Sequence, residues 1–158
     1  MFKIQDKDSR LPVHYAAYSG NEKAIDFFIK KKSDLNQPDK IQNTPLHYAA
    51  MAGHTRICRH LIQSGADANA LNELGRSPLH YLAQIQVDPL KSKIVEDYNK
   101  TLHALLEVGA GDVNQIDVDG RTPIHVASKS GAIVALQFLL RSEGDVHRKT
   151  RQVEPSYT

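Results

Sequence analysis

The sequence predicts an all-α solenoid of stacked helix-turn-helix units, and three observations carry that prediction. The first is a phrase that recurs as Leu11-Pro12-Val13-His14, Thr44-Pro45-Leu46-His47, Ser77-Pro78-Leu79-His80 and Thr122-Pro123-Ile124-His125; its prolines fall 33 residues apart twice and then 45 apart. A fixed period of that size marks a repeat protein. The second is helix punctuation. Thr44, Ser77 and Thr122 suit the N-cap, with proline at the first helical position. Gly20, Gly53 and Gly131 then suit a left-handed helix ending about two turns on. The third is a second apolar run in every unit.

The elements follow in order. First helices carry Ala16-Ala17, Ala49-Ala50, Leu82-Ala83 and Ala127-Ser128. Second helices run through Ala24 to Ile29, Ile57 to Ile62, Leu102 to Leu106 and Val134 to Leu140, with Gly65-Ala66-Asp67 and Gly109-Ala110 closing two of them. Between units stand the turn formers Asp34-Leu35-Asn36, Asp67-Ala68-Asn69, Asp112-Val113-Asn114 and Asp145-Val146-His147. Two apolar helical faces on so short a unit cannot be buried within it. The units must therefore stack, each covering its neighbour.

Over roughly residues 6 to 148 the chain resembles the ankyrin-repeat family. Repeat two is nearest to the family pattern, with Thr44-Pro45-Leu46-His47, Ala49-Ala50, Gly53-His54, Leu61-Ile62 and Gly65-Ala66-Asp67-Ala68-Asn69-Ala70. The resemblance implies paired antiparallel helices, hairpin-like loops projecting at right angles, and a curved stack with a concave side. The expected division is one ankyrin-repeat domain over 1–158, with repeats at about 6–38, 39–71, 72–116 and 117–148 and a tail at 149–158. Ser9 and Leu11 replace the family's usual glycine and threonine, which weakens the first loop and cap, as suits a terminal unit. Met1-Phe2-Lys3-Ile4 either folds over the end of the stack or frays.

Repeat three holds twelve surplus residues, eleven between Ile85 and Tyr98 and one at Gly111. The segment 86–97 reads either as a loop insertion, which costs little entropy, or as a backward extension of the second helix from Pro89. The extension would align Leu90, Ile94, Val95, Tyr98, Leu102 and Leu105 on one stripe. Contact between this segment and a partner is a further possibility. In the tail, Ser156 stands where another unit would have its proline, so the tail is either a degenerate end or the start of another repeat in a longer protein.

Composition narrows the function. The formal net charge of +2 is too small to imply a nucleic-acid or membrane surface, and Lys30-Lys31-Lys32 fits a solvated helix end where cations complement the dipole. No run approaches the roughly 20 apolar residues of a membrane span, and no signal peptide opens the chain. The single cysteine, Cys58, fits a reducing compartment and a small buried apolar role. An intracellular monomer, cytoplasmic or nuclear, is expected. His14, His47, His80 and His125 recur once per repeat and so stand about 10 Å apart, too far to share a metal bonded at about 2 Å. The resemblance implies instead that this histidine ties adjacent loops together. No nucleophile elbow, phosphate-cradling loop, HExxH or paired-cysteine motif is present; no enzyme activity, metal or cofactor is expected. Asp6, Asp39 and Asp117 fit turn positions that accept backbone hydrogen bonds.

What remains is binding of another protein. The resemblance implies that loop tips and the exposed side of the first helices hold the partner, which selects Arg10, Tyr18, Ile41, Met51, Leu74, Arg76, Ile85 and Arg121. Ile41, Leu74, Met51 and Ile85 give the middle units an apolar centre. Arg10, Arg76 and Arg121 form a basic column with a gap at Asn43, and arginine beside apolar neighbours is typical of interface hot spots. The expected partner is an acidic or amphipathic segment. By analogy the chain also resembles stand-alone stoichiometric inhibitors of the kappa-B or viral type, though it lacks a twin-serine motif and an acidic tail. Alternatively it is the ankyrin segment of a larger enzyme, channel or bacterial effector. Asn36, Asn69 and Asn114 occupy a turn position that is hydroxylated in some members of the family.

Overall fold

The computed structural model describes residues 4–107 and 112–142. Eight helices and no strand occur among them: α1 (Pro12–Ser19), α2 (Glu22–Lys30), α3 (Pro45–Met51), α4 (Thr55–Gln63), α5 (Pro78–Ala83), α6 (Ser92–Glu107), α7 (Pro123–Ser130) and α8 (133–142). The turns and caps expected from the sequence are thus assembled into an all-α solenoid of helix-turn-helix units. The tail 149–158, Ser156, Gly109, Ala110 and Gly111 lie outside the described residues, as do Met1 to Lys3.

Each first helix starts as its sequence dictates. Proline takes the first turn, and the backbone N–H of the N-cap residue donates to Nδ1 of the repeat histidine: Leu11 to His14 at 2.9 Å, Thr44 to His47 at 3.0 Å, Ser77 to His80 at 3.2 Å and Thr122 to His125 at 3.1 Å. Thr44 and Thr122 also accept the amide of that histidine, each at 3.4 Å. Ser77 departs from the expected backbone cap and keeps only the hydroxyl contact with the histidine Nδ1, at 3.1 Å, which the two threonines make as well. Helices α1 and α7 close on Gly20 and Gly131, at φ +77° and +72°.

First helices pack on one another down the array, α1 on α3, α3 on α5 and α5 on α7, while each of α1, α3 and α5 also packs on its own second helix. Ile25, Leu46, Leu61, Leu79, Leu82, Leu102, Leu105 and Leu139 are fully buried between the two rows. At about 25 cal/mol per Å² of apolar surface, this shared interior is the main source of stability, and no unit owns it alone. Cys58 lies within it, its thiol pushed up to about 12 by burial.

The surplus residues of repeat three lengthen the second helix. Helix α6 starts at Ser92 rather than Pro89, and its buried stripe is Tyr98, Thr101, Leu102 and Leu105. Val95 packs beside it, but Leu90 is 89% exposed and Ile94 also faces solvent. Ahead of the helix, the Asp88 carboxylate accepts Leu90 N–H and its carbonyl accepts Lys91 N–H, so that 88–91 form a separate turn. Tyr98 anchors the extension by donating its hydroxyl to the Leu82 carbonyl at 2.6 Å. Arg59 to Asp97 at 3.2 Å and Thr101 to the Thr55 carbonyl at 3.3 Å tie it to α4.

Candidate functional site

Loops between the units set the geometry of the exposed face. In each loop the first residue is an acid or amide whose Oδ1 accepts two backbone N–H groups, two and four residues on: Asp6 from Asp8 and Arg10, Asp39 from Ile41 and Asn43, Asn72 from Leu74 and Arg76, Asp117 from Asp119 and Arg121. That is the turn role expected of Asp6, Asp39 and Asp117. The tight reversal puts Ser9, Gln42, Gly75 and Gly120 in the left-handed region, at φ +60°, +66°, +70° and +74°. Only glycine occupies it freely.

Two sets of bonds then fix each loop to the next layer. Lys40 N–H donates to the Asp8 carbonyl at 2.9 Å, Glu73 N–H to Ile41 at 3.0 Å and Val118 N–H to Leu74 at 2.9 Å. In the opposite direction, the histidines reach forward. Because Nδ1 accepts a backbone N–H, the neutral ring carries its proton on Nε2, which points at the carbonyl of Asn43 from His14 (3.2 Å), of Arg76 from His47 (3.0 Å) and of Arg121 from His80 (3.0 Å). Both nitrogens of these three rings are therefore spent on the protein. Burial lowers the pKa of all three.

Ile41 and Leu74, at equivalent loop tips, are 49% and 48% exposed. Since one bond joins their loops, they stand side by side. Met51 and Ile85, at the ends of α3 and after α5, are half-buried and pack against the core; Ile85 lies 3.5 Å from where a side chain on Gly53 would begin. Tyr18 on α1 is exposed. Ile41 and Leu74 are thus the more exposed pair, and Met51 and Ile85 the more buried one.

The arginine column differs from its expectation. Arg10 binds Asp6 at 3.0 Å and Asp8 at 2.5 Å, Arg76 binds Asp117 of the following loop at 3.1 Å, and Arg121 lies 3.7 Å from Asp119. At the gap, a neutral pair replaces the ionic one: Asn72 donates to Asn43 Oδ1 at 2.9 Å and to the Tyr81 hydroxyl at 2.7 Å. Each of these arginines thus has a carboxylate beside it, closely at Arg10 and Arg76 and loosely at the exposed Arg121. The acids are of two kinds: Asp6 and Asp117 also brace a loop, whereas Asp8 and Asp119 stand at loop tips.

Sequence reasoning missed the tyrosines that follow the repeat histidine, although His14-Tyr15, His47-Tyr48 and His80-Tyr81 were visible as pairs. Tyr15 donates to Asp6 and Tyr48 to Asp39. The Tyr15 bond, aided by the backbone N–H groups and by Arg10, holds the Asp6 carboxyl at about 2. Burial, then the bond to Asp39, pushes the Tyr48 hydroxyl up to about 12. Asp117 is also held below the usual range; burial opposes this, but the Arg121 and Asp119 amides and the Arg76 guanidinium outweigh it. Rings and guanidinium groups stack as well, with Arg10 5.6 Å from the Tyr15 centroid and Arg76 5.6 Å from that of Tyr81.

Among the described residues no helix is long and apolar enough to cross a membrane. A family model described as ankyrin repeats in three copies matches residues 13–92, and one described as an ankyrin repeat matches residues 119–151. The stretch between the two matches contains most of α6.

Proposed function

This chain belongs to the ankyrin-repeat family, whose members are generally protein-protein interaction modules and typically non-catalytic, and from that premise we propose that it binds a partner protein along its loop tips and first-helix row, on the concave side of the stack. The carrying observation is the adjacent exposure of Ile41 and Leu74 on loops that are rigidly braced. A tip held by two backbone amides donating to one side-chain oxygen, and by interlayer backbone bonds, loses little entropy on binding, which favours affinity. Met51 and Ile85 extend the apolar surface inward, and Tyr18, Arg10, Arg76 and Arg121 flank it. The partner segment that fits is amphipathic, its apolar side against the middle two units.

Affinity capture from the source cell with the wild-type chain and with an Ile41→Asp, Leu74→Asp double variant tests this reading. Both side chains are half-exposed, so the variant should keep the wild-type circular dichroism and melting curve. Loss of the captured protein with folding intact is the expected result. Undiminished capture by the folded variant would remove these tips from the interface.

A further inference from the structure

The two ends of the array leave uncovered what every inner junction covers. In repeat four, Leu136 is half-buried where its equivalents Ile25, Cys58 and Leu102 are fully buried, and Ile124 is half-buried where Val13, Leu46 and Leu79 lie in the core. Leu140 is 55% exposed against 8% at Ile62. These positions face the following unit. In repeat one a different set is open. Phe28 is half-buried where Leu61, Leu105 and Leu139 are fully buried. Phe27 is 55% exposed, and its equivalents His60 and Phe138 touch the preceding unit at Asp26 and His103. This second set faces backwards.

The hydrogen-bonding groups divide in the same way. At each inner junction the repeat histidine points Nε2–H forward at the carbonyl of Asn43, Arg76 or Arg121. The following loop answers with the N–H of Lys40, Glu73 or Val118, donated to Asp8, Ile41 or Leu74. Among the described residues, His125 Nε2 has no such acceptor and the Asp119 carbonyl no such donor. At the other end, the Arg10 carbonyl and the Lys7 N–H hold the matching places by register. Tyr15, 52% exposed, stands where Tyr48 and Tyr81 meet the preceding histidine edge-on at 5.7 and 6.1 Å. The open faces of the last and first units are therefore the two halves of a junction that the molecule already makes three times.

We propose that the chain associates head to tail with a second copy of itself, in place of the monomer expected from the sequence. Repeat four of one copy seats on repeat one of the next, with His125 donating to the Arg10 carbonyl and Lys7 N–H to the Asp119 carbonyl. Burial of Leu136, Leu140, Phe27 and Phe28 drives the contact. Because the two surfaces are unlike, the contact does not close as a two-fold dimer, and association is open-ended. The rival occupant of the last face is the chain's own segment 143–158. It is too short to supply a helix pair such as α1 and α2, which span residues 12–30. Val153 also falls at the loop position that Ser9, Gln42, Gly75 and Gly120 occupy at positive φ, which a β-branched residue resists.

Sedimentation of the full chain over roughly a hundredfold range of concentration tests the proposal. The average mass should rise past about twice that of one chain without levelling at a dimer. Leu140→Asp, on the forward face, and Phe27→Asp, on the backward face, are substitutions at exposed positions; each should hold the mass at one chain while circular dichroism stays that of the folded protein. An equal mixture of the two variants should form one-to-one dimers and nothing larger, since each retains one working end. A wild-type mass that stays at one chain throughout would leave the last face to segment 143–158 or to another protein and overturn the proposal. Association that stops at a dimer, that ignores both variants, or that fails to return in their mixture would overturn it equally.

Discussion

The first-helix row and the second-helix row answer the same insertion differently. On the loop and first-helix side, the two interlayer bonds are kept across repeat three: His80 still reaches the carbonyl two residues before the next proline, and Val118 still pairs with Leu74. On the other side, α4 has nine residues and α6 has sixteen. Directional bonds hold one row to a fixed spacing, because a histidine ring or a loop amide has a single acceptor in reach. Apolar packing is non-directional, so a longer helix can be accommodated provided its stripe stays on the core. Added length therefore goes to the row that uses the less specific force.

The largest effect that would break this contrast is expected at Tyr98. Its removal as Tyr98→Ala leaves a large cavity and orphans the Leu82 carbonyl; a loss of about 4 kcal/mol is expected, read from urea denaturation. A loss below about 1 kcal/mol would mean that α6 is not held by its stripe. His47→Ala comes next, with about 3 kcal/mol lost, since it abandons the buried Thr44 amide and the Arg76 carbonyl together. Losses of similar size at His14 and His80 would establish that the row is uniform.

Acid tests the same row without mutation. The folded chain keeps His14, His47 and His80 neutral, with pKa values lowered by burial. The unfolded chain takes up those protons first, as pH falls below about 6.5, so stability is full above that value and declines toward the lowered folded values. Urea midpoints at pH 7.5 and 5.5 should differ in that direction. Asp6 and Asp117, held low in the fold, add their own loss only below about pH 4. A midpoint unchanged between pH 7.5 and 5.5 would remove the neutral-tautomer account of the ladder.

Smaller effects sharpen the comparison at the loop tips. Gln42→Gly should stabilise by about 1 kcal/mol, because a non-glycine side chain at φ +66° is strained. Gly75→Ala should do the reverse by about 2 kcal/mol, since its new carbon would sit 3.3 Å from the Asp117 and Val118 backbone. The smallest change belongs to the insertion's outer side, where Leu90→Ser should alter stability by less than about 0.5 kcal/mol, measured by thermal melting.

Periodicity made the stacking legible, because the histidine, proline and glycine positions each have a local backbone reason that repeats. Cys58 was equally readable as a small apolar residue in a buried stripe. The start of α6 was not, since a proline after an aspartate suits the opening of a helix and of an isolated turn equally, and here it opens a turn. Among the face residues, Ile41 and Leu74 could be placed from their register alone. The arginines could not: charge at a position says nothing of which neighbouring acid, in its own loop or the next, takes it. Asn43 was read as a gap, whereas it forms half of a neutral pair with Asn72 from another repeat.

Each junction in this array has a donor travelling in both senses, an imidazole N–H leading forward and a peptide N–H running back. That gives the stack a polarity, like a row of identical bricks with a peg on one side and a socket on the other. A duplicated or grafted unit would join it in one orientation only; turned around, it would face pegs with pegs.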